Sequence, residues 1–149
     1  MLTMKGKYGL KAMVHLAGAE PGRPVLVNDI AERNAIPRKF LDAILADLRN
    51  AGFVQSKKGK GGGFTLAHPP AQIRIGHVIR VLDGPLAPLP CASKTAYRRC
   101  QDCTDERQCA VRLMMIEVRN AISTVLDGRT LAEMRAMADL DEMAAMYHI

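Results

Sequence analysis

Residues 53–67 read Phe53-Val54-Gln55-Ser56-Lys57-Lys58-Gly59-Lys60-Gly61-Gly62-Gly63-Phe64-Thr65-Leu66-Ala67. Two short runs containing β-branched and aromatic residues flank a glycine-rich centre, which is the pattern of strand, turn and strand. Glycines let the backbone of such a turn approach a groove closely, and Lys57, Lys58 and Lys60 place positive charge at its tip. A phosphate-cradling nucleotide loop is the rival reading. It lacks the Gly-Lys-Ser/Thr ending at the required spacing.

What precedes the hairpin explains it. Phe40, Leu41, Ile44, Leu45 and Leu48 form the apolar stripe of a helix opened by Pro37 and stopped by Gly52. Its opposite face shows Arg38, Lys39, Asp42, Ala43 and Arg49. A shorter helix over 27–33, with Ile30 and Ala31 inward and Asp29 near its positive end, precedes it across Asn34-Ala35-Ile36. Earlier still, Leu10, Met13, Val14 and Ala17 mark an amphipathic helix over about 5–18 that ends at Glu20-Pro21-Gly22. Two short helices joined by a tight turn and followed by a lysine-tipped hairpin predict a winged helix-turn-helix. The fold class is mainly α with a small β-hairpin wing.

After Pro69-Pro70 a fourth helix is expected over 75–82, then a long loop to residue 108 that has little periodicity. From Cys109 to Asp127 helical patterning returns. Val111, Met115, Val118, Ile122 and Val125 follow the 4, 3, 4, 3 spacing of a paired-helix seam. Leu113, Met114, Ile116 and Ala121 widen the apolar surface beyond one stripe, so a second copy of the chain is implied; a core helix is the plainer alternative. Thr130 and Glu133 form a capping box for a last short helix. Three segments result: 1–83 for DNA binding, 84–108 as a cysteine-rich loop, and 109–149 for dimerisation.

Charge supports this division. Residues 1–80 hold 13 basic and 5 acidic side chains, whereas residues 81–149 hold 8 and 10. The net surplus of the whole chain, +6, therefore belongs to the half that carries the hairpin, as contact with a polyanion would require. No stretch approaches the roughly 20 apolar residues of a membrane span, so a cytoplasmic protein without membrane contact is expected. His15, His68, His77 and His148 form no metal-protease or Cys–His signature, and no enzyme is expected.

Cys91, Cys100, Cys103 and Cys109 lie within nineteen residues, with Lys94, Arg98, Arg99, Arg107 and Arg112 nearby. Positive charge favours thiolate, the form that binds metal or meets oxidants. Reduced thiols so clustered point to an iron–sulfur cluster, zinc or a redox switch.

Three stretches carry a family likeness: Met4-Lys5-Gly6-Lys7-Tyr8-Gly9-Leu10-Lys11-Ala12-Met13, Asp29-Ile30-Ala31-Glu32-Arg33, and Lys58-Gly59-Lys60-Gly61-Gly62-Gly63-Phe64. With the cysteine loop ahead of a long helix, residues 1 to about 140 resemble the IscR/NsrR/CymR family of bacterial winged-helix regulators. The resemblance implies a homodimer whose third helices enter successive major grooves while the wings reach the minor groove of a roughly palindromic operator. By matching positions it implies that Lys39, Asp42 and Ala43 face bases and that Lys58 is the wing-tip cation. Lys5 and Lys7 are then phosphate contacts, or solvated surface. In relatives with three Cys the loop carries a cluster, 2Fe-2S or 4Fe-4S, whose state switches DNA affinity.

Cys91, Cys103 and Cys109 match those ligands, but the first interval is longer than in relatives and Cys100 is extra. Arg112 stands where IscR-like members have a fourth-ligand His, and Tyr8 falls near the carboxylate of NsrR-like members; neither is a suitable ligand. A four-thiolate site completed by Cys100 is the simplest arrangement, with a metal-free thiol switch and Zn as alternatives. The expectation is a dimeric transcriptional repressor controlled at its cysteine loop. A winged-helix protein-interaction module with structural Zn is the alternative.

Overall fold

Apolar periodicity becomes helix in the computed structural model, which describes residues 2–147; Met1, His148 and Ile149 lie outside the described residues. The elements are α1 (Met4–Ala17), α2 (Val27–Asn34), α3 (Arg38–Asn50), β1 (Val54–Lys57), β2 (Gly63–Leu66), α4 (Ile75–Asp83), α5 (Ala110–Gly128) and α6 (Leu131–Tyr147). Thr3 caps α1 by accepting from the Gly6 N–H. Gly52, at φ +86°, takes the left-handed conformation just beyond α3. The core gathers Met13 from α1, Ile30 from α2, Leu41, Ile44, Leu45 and Leu48 from α3, Val78 from α4 and Leu131 from α6.

Two glycines decide how α1 meets α4. A Cβ on Gly9 would lie 2.1 Å from Leu82 Cδ1, and one on Gly6 would lie 2.3 Å from Asp83 Oδ2. Asp83 in turn accepts from the Thr3 amide at 2.9 Å and from the Thr3 hydroxyl. The Gly6 and Gly9 of the opening motif are therefore packing residues.

β1 and β2 pair antiparallel, Val54 opposite Leu66 and Lys57 opposite Gly63. Val25 adds a third edge that no sequence pattern announces. Its N–H and C=O both bond Phe64 at 2.9 Å, which ties the wing to the segment before α2.

Three expectations change. Phe40, expected inward, is 57% exposed. The buried face of α3 is the Leu41, Ile44, Leu45, Leu48 stripe, and Phe40, one residue and about 100° before Leu41, falls outside it. Its ring instead rests near Tyr8, with centroids 6.2 Å apart. Pro37 is the N-cap of α3 rather than its first helical residue. The last helix is long, at 17 residues, because Ala and Met continue it where no breaker intervenes.

The loop from 84 to 109 contains two short 3-10 turns, Pro90–Ala92 and Glu106–Gln108. α5 follows it, with 19 residues and none buried. At its far end the chain is stitched back onto the body. Ile75 N donates to Arg129 O at 3.0 Å and Leu131 N to Ile73 O at 2.8 Å. Thr130 then caps α6, accepting from Glu133 N at 3.1 Å and donating to its carboxylate at 3.2 Å. Among the described residues no helix is long and apolar enough to cross a membrane.

Candidate nucleic-acid interface and cysteine loop

The core stripe of α3 turns the other side of that helix to solvent. Arg38, Lys39, Asp42 and Ala43 are all exposed, as are Lys57, Lys58 and Lys60 on the wing. Arg38 is held by neighbours: its Nε donates to Asp42 Oδ1 at 3.0 Å, and its Nη1 donates to Asn28 Oδ1 on α2. Asn28 had no sequence signal, because a polar residue at a helix start looks like ordinary solvated surface. Lys7 is exposed on α1, whereas Lys5 is half-buried and pairs with Asp47 of α3 at 2.7 Å. Its ammonium therefore bridges two helices in this arrangement.

The helix-turn-helix is braced from behind. Lys11 Nζ donates to Asn34 O at 2.6 Å, and Asn34 Nδ2 donates to Ile30 O at 2.8 Å and to His15 Nδ1 at 2.9 Å. Burial first, and then the nearby Arg33 charge, hold the His15 imidazole below its ordinary pKa, which keeps the ring an acceptor.

The cysteine loop lies against α5. Cys91 is buried in the first 3-10 turn, while Cys100, Cys103 and Cys109 are partly exposed. Cys91 and Cys100 are neighbours: the Cys91 side chain first, then burial, raise the Cys100 thiol above its ordinary pKa. Burial and then Cys109 do the same for Cys103. Among the described residues no three His, Cys, Asp or Glu side chains come together as a metal-holding group. The four thiols supply suitable donors for a cluster, but their arrangement here does not fit one.

Arg112, which cannot ligate, has another task. Its Nε donates to Cys91 O at 3.0 Å and its Nη1 to Glu106 O at 3.4 Å. Further along the helix, Arg119 Nη1 donates to Ala92 O at 2.6 Å. Two guanidinium groups thus fasten the loop to α5. Of the expected seam on that helix, Val111 and Val125 are exposed, whereas Met115, Val118 and Ile122 are partly covered by their own chain. Along one stripe the open apolar residues are Val111, Met114, Ala121 and Val125, with the half-covered Val118 between them.

A helix-turn-helix, a lysine-tipped wing beside it and a polar exposed face on the second helix define a winged-helix DNA-binding regulator. Residues 2–137 match the Rrf2 family, described as "Iron-dependent Transcriptional regulator", and the chain belongs to that family of transcriptional regulators, which are not enzymes. It is 41% identical over 139 residues to the rrf2-like HTH-type transcriptional regulator of Rhodobacter capsulatus, covering 91% of this chain and 93% of that one. The solved structure of CymR from B. subtilis, titled the global cysteine regulator, is similar with a TM-score of 0.76 at 33% identity. That match covers 92% of this chain and 97% of CymR. T. potens IscR is similar with a TM-score of 0.71 at 33% identity, over 93% of this chain and 88% of IscR.

Proposed function

We propose that this protein is a cytoplasmic homodimeric repressor that binds a roughly palindromic operator and releases it according to the state of its cysteine loop. The observation that carries this reading is α5. A 19-residue helix with no buried residue and an open apolar stripe calls for a second copy against it. Two copies joined there would each bring one α3 and one wing, a pair of readers for two half-sites. In this reading Lys39, Asp42 and Ala43 face base edges, while Lys7, Lys57, Lys58 and Lys60 meet phosphates. Lys5 joins them only by leaving Asp47. The segments 1–83, 84–108 and 109–149 then divide into reader, control loop and dimer element.

Control follows from the fastening of the loop. Cys91 and Ala92 present their carbonyls to Arg112 and Arg119 of the dimer helix, so chemistry at the thiols acts on the element that spaces the two readers. The neighbouring Cys91 and Cys100 thiols support disulfide formation as that chemistry. An S–S bond replaces two S–H bonds, while two protons and two electrons pass to a peroxide-class oxidant from solution. A cluster held by Cys91, Cys100, Cys103 and Cys109 is the second reading, favoured by four thiols within nineteen residues. It requires the loop to rearrange.

The test is binding to duplex selected by the protein from a random-sequence pool, in reduced and oxidised states, with sedimentation to give the oligomer. A dimer that prefers the selected duplex in one state only is expected. A monomer, or equal affinity for selected and random duplex in both states, overturns the proposal. Iron, sulfide and zinc content of protein prepared without oxygen decides the control chemistry: iron with sulfide supports the cluster, absence of all three supports the thiol pair, and zinc alone overturns both.

A further inference from the structure

A notch of about 330 Å³ opens between the start of α2, the start of α3 and the wing. Asn28, Arg38, Ser56, Lys57, Gly62 and Gly63 are among its walls, and no acidic residue lines it. Glycine shapes its floor. Gly63 has φ +148°, and a Cβ there would lie 2.2 Å from the Val25 carbonyl oxygen; a Cβ on Gly62 would lie 2.2 Å from that of Lys57. Gly63 lets the wing fold this close to the segment before α2, and Gly62 lets the hairpin close on its own Lys57 backbone; neither position has room for a side chain.

Arg38 does not swing loosely over the notch. Asn28 holds one edge of its fork and Asp42 the other, which fixes the plane of a group with five N–H donors and leaves its Nη2 donors for a ligand. When a recognition helix lies in the major groove and a wing over the adjoining minor groove, the ridge between those grooves is a single sugar-phosphate strand. The notch is the space between the same two elements. A strand crossing it would present a phosphodiester.

We propose that this notch seats one backbone phosphodiester of duplex DNA, gripped by Arg38 from α3 and Lys57 from the wing. Asn28 of α2 is the positioning residue that holds the Arg38 fork in its bonding orientation. Asp42 acts as the second stay on that fork, so its negative charge is offset by its own helix before DNA arrives. The proposal rests on the DNA-binding reading and is independent of the dimer and of the cysteine loop.

The probe is a duplex selected by the wild-type protein from a random-sequence pool, with single phosphates replaced in turn by neutral methylphosphonate. At one position for each bound α3 the replacement is expected to weaken wild-type binding about tenfold, the value of one charge-assisted hydrogen bond. The same replacement should change binding of the Arg38→Ala/Lys57→Ala double variant less than about twofold. Asn28→Ala is expected to weaken binding about three- to fivefold in the wild type and to have no effect in an Arg38→Ala background. A merely structural Asn28 would weaken both backgrounds equally. Thermal unfolding matched to the wild type shows that each variant is folded. If the wild type selects no duplex, the DNA-binding reading fails and takes the notch with it. If selection succeeds but no methylphosphonate position couples to Arg38 and Lys57, the notch assignment is overturned while DNA binding stands.

Discussion

Ala35, in the turn between α2 and α3, has φ +53° and ψ +44°, a left-handed conformation that a Cβ disfavours. The turn requires it, because the Ile36 N–H must return to Ala31 O, which it does at 2.9 Å. Glycine carries no such penalty and loses somewhat more entropy on folding. Ala35→Gly is therefore expected to stabilise the fold by about 0.5–1 kcal/mol, read as a higher urea midpoint at unchanged slope. A lower midpoint would remove the strain from the account. His15 offers a second check. The unfolded chain takes up a proton near the ordinary histidine pKa of 6.5, while the folded ring, with its pKa lowered, resists it. Its contribution is present above that pH and declines as pH falls through it. Stability should thus drop less between about pH 7.5 and about pH 5.5 in His15→Gln than in the wild type. At this scale the sequence was informative where residue type and spacing agree, as at Ile30, Leu41 and Gly52. It was silent on Asn28 and misleading at Phe40, since neither a polar helix start nor one extra apolar residue shows which neighbour it will meet.

The joint between α4 and α5 shows how a helix pair can depend on one absent side chain. Arg80 grips Asp127 through two hydrogen bonds, at 2.7 and 2.8 Å. A Cβ on Gly76 would lie 1.9 Å from the same carboxylate, so only glycine leaves room for it. The Arg80 hydrogen bond holds the Asp127 carboxyl below its ordinary pKa. A carboxylate depressed in this way stabilises the fold above its unfolded pKa and gives up that effect as pH falls through the folded value. Asp127→Asn should therefore lower the urea midpoint at neutral pH, and the gap from the wild type should close below about pH 4. A gap independent of pH would assign the loss to packing instead. Most elements were legible because each repeats an apolar residue at a helical or strand period. The Val25 edge was not, since a single residue pair has no period. Nor was the reach of α6: Leu131 and Met134 meet the core, but the Ala- and Met-rich stretch beyond them continues on helix propensity alone.

Among the described residues, two apolar surfaces stand largely open in one chain: the Val111–Val125 stripe of α5, and Met137, Leu140, Met143 and Met146 on α6. Met114→Glu places a charge on the open stripe. It is expected to raise the dimer dissociation constant about thirtyfold or more, measured by sedimentation; an unchanged constant would move the interface elsewhere. Lys58→Ala, outside the notch, should weaken selected and random duplex alike and lower the slope of log affinity against log salt by about 0.9 for each phosphate that is no longer neutralised. An unchanged slope would take the wing tip off the phosphates. The basic half and the cysteine-rich segment could both be read from composition along the chain. Which thiols become neighbours could not, because loop residues have no period from which to infer a neighbour. Finally, the stitch of residues 73–75 to 129–131 makes a fulcrum. α5 spans about 28 Å from it to the cysteine loop, so travel of about 2.4 Å at the loop equals a tilt of about 5° at the stitch. The helix is a lever, with its long arm at the thiols and its pivot on the DNA-reading body. In the dimer proposed above, whose readers would meet grooves about 34 Å apart, such a tilt in each subunit would shift the spacing of the two readers.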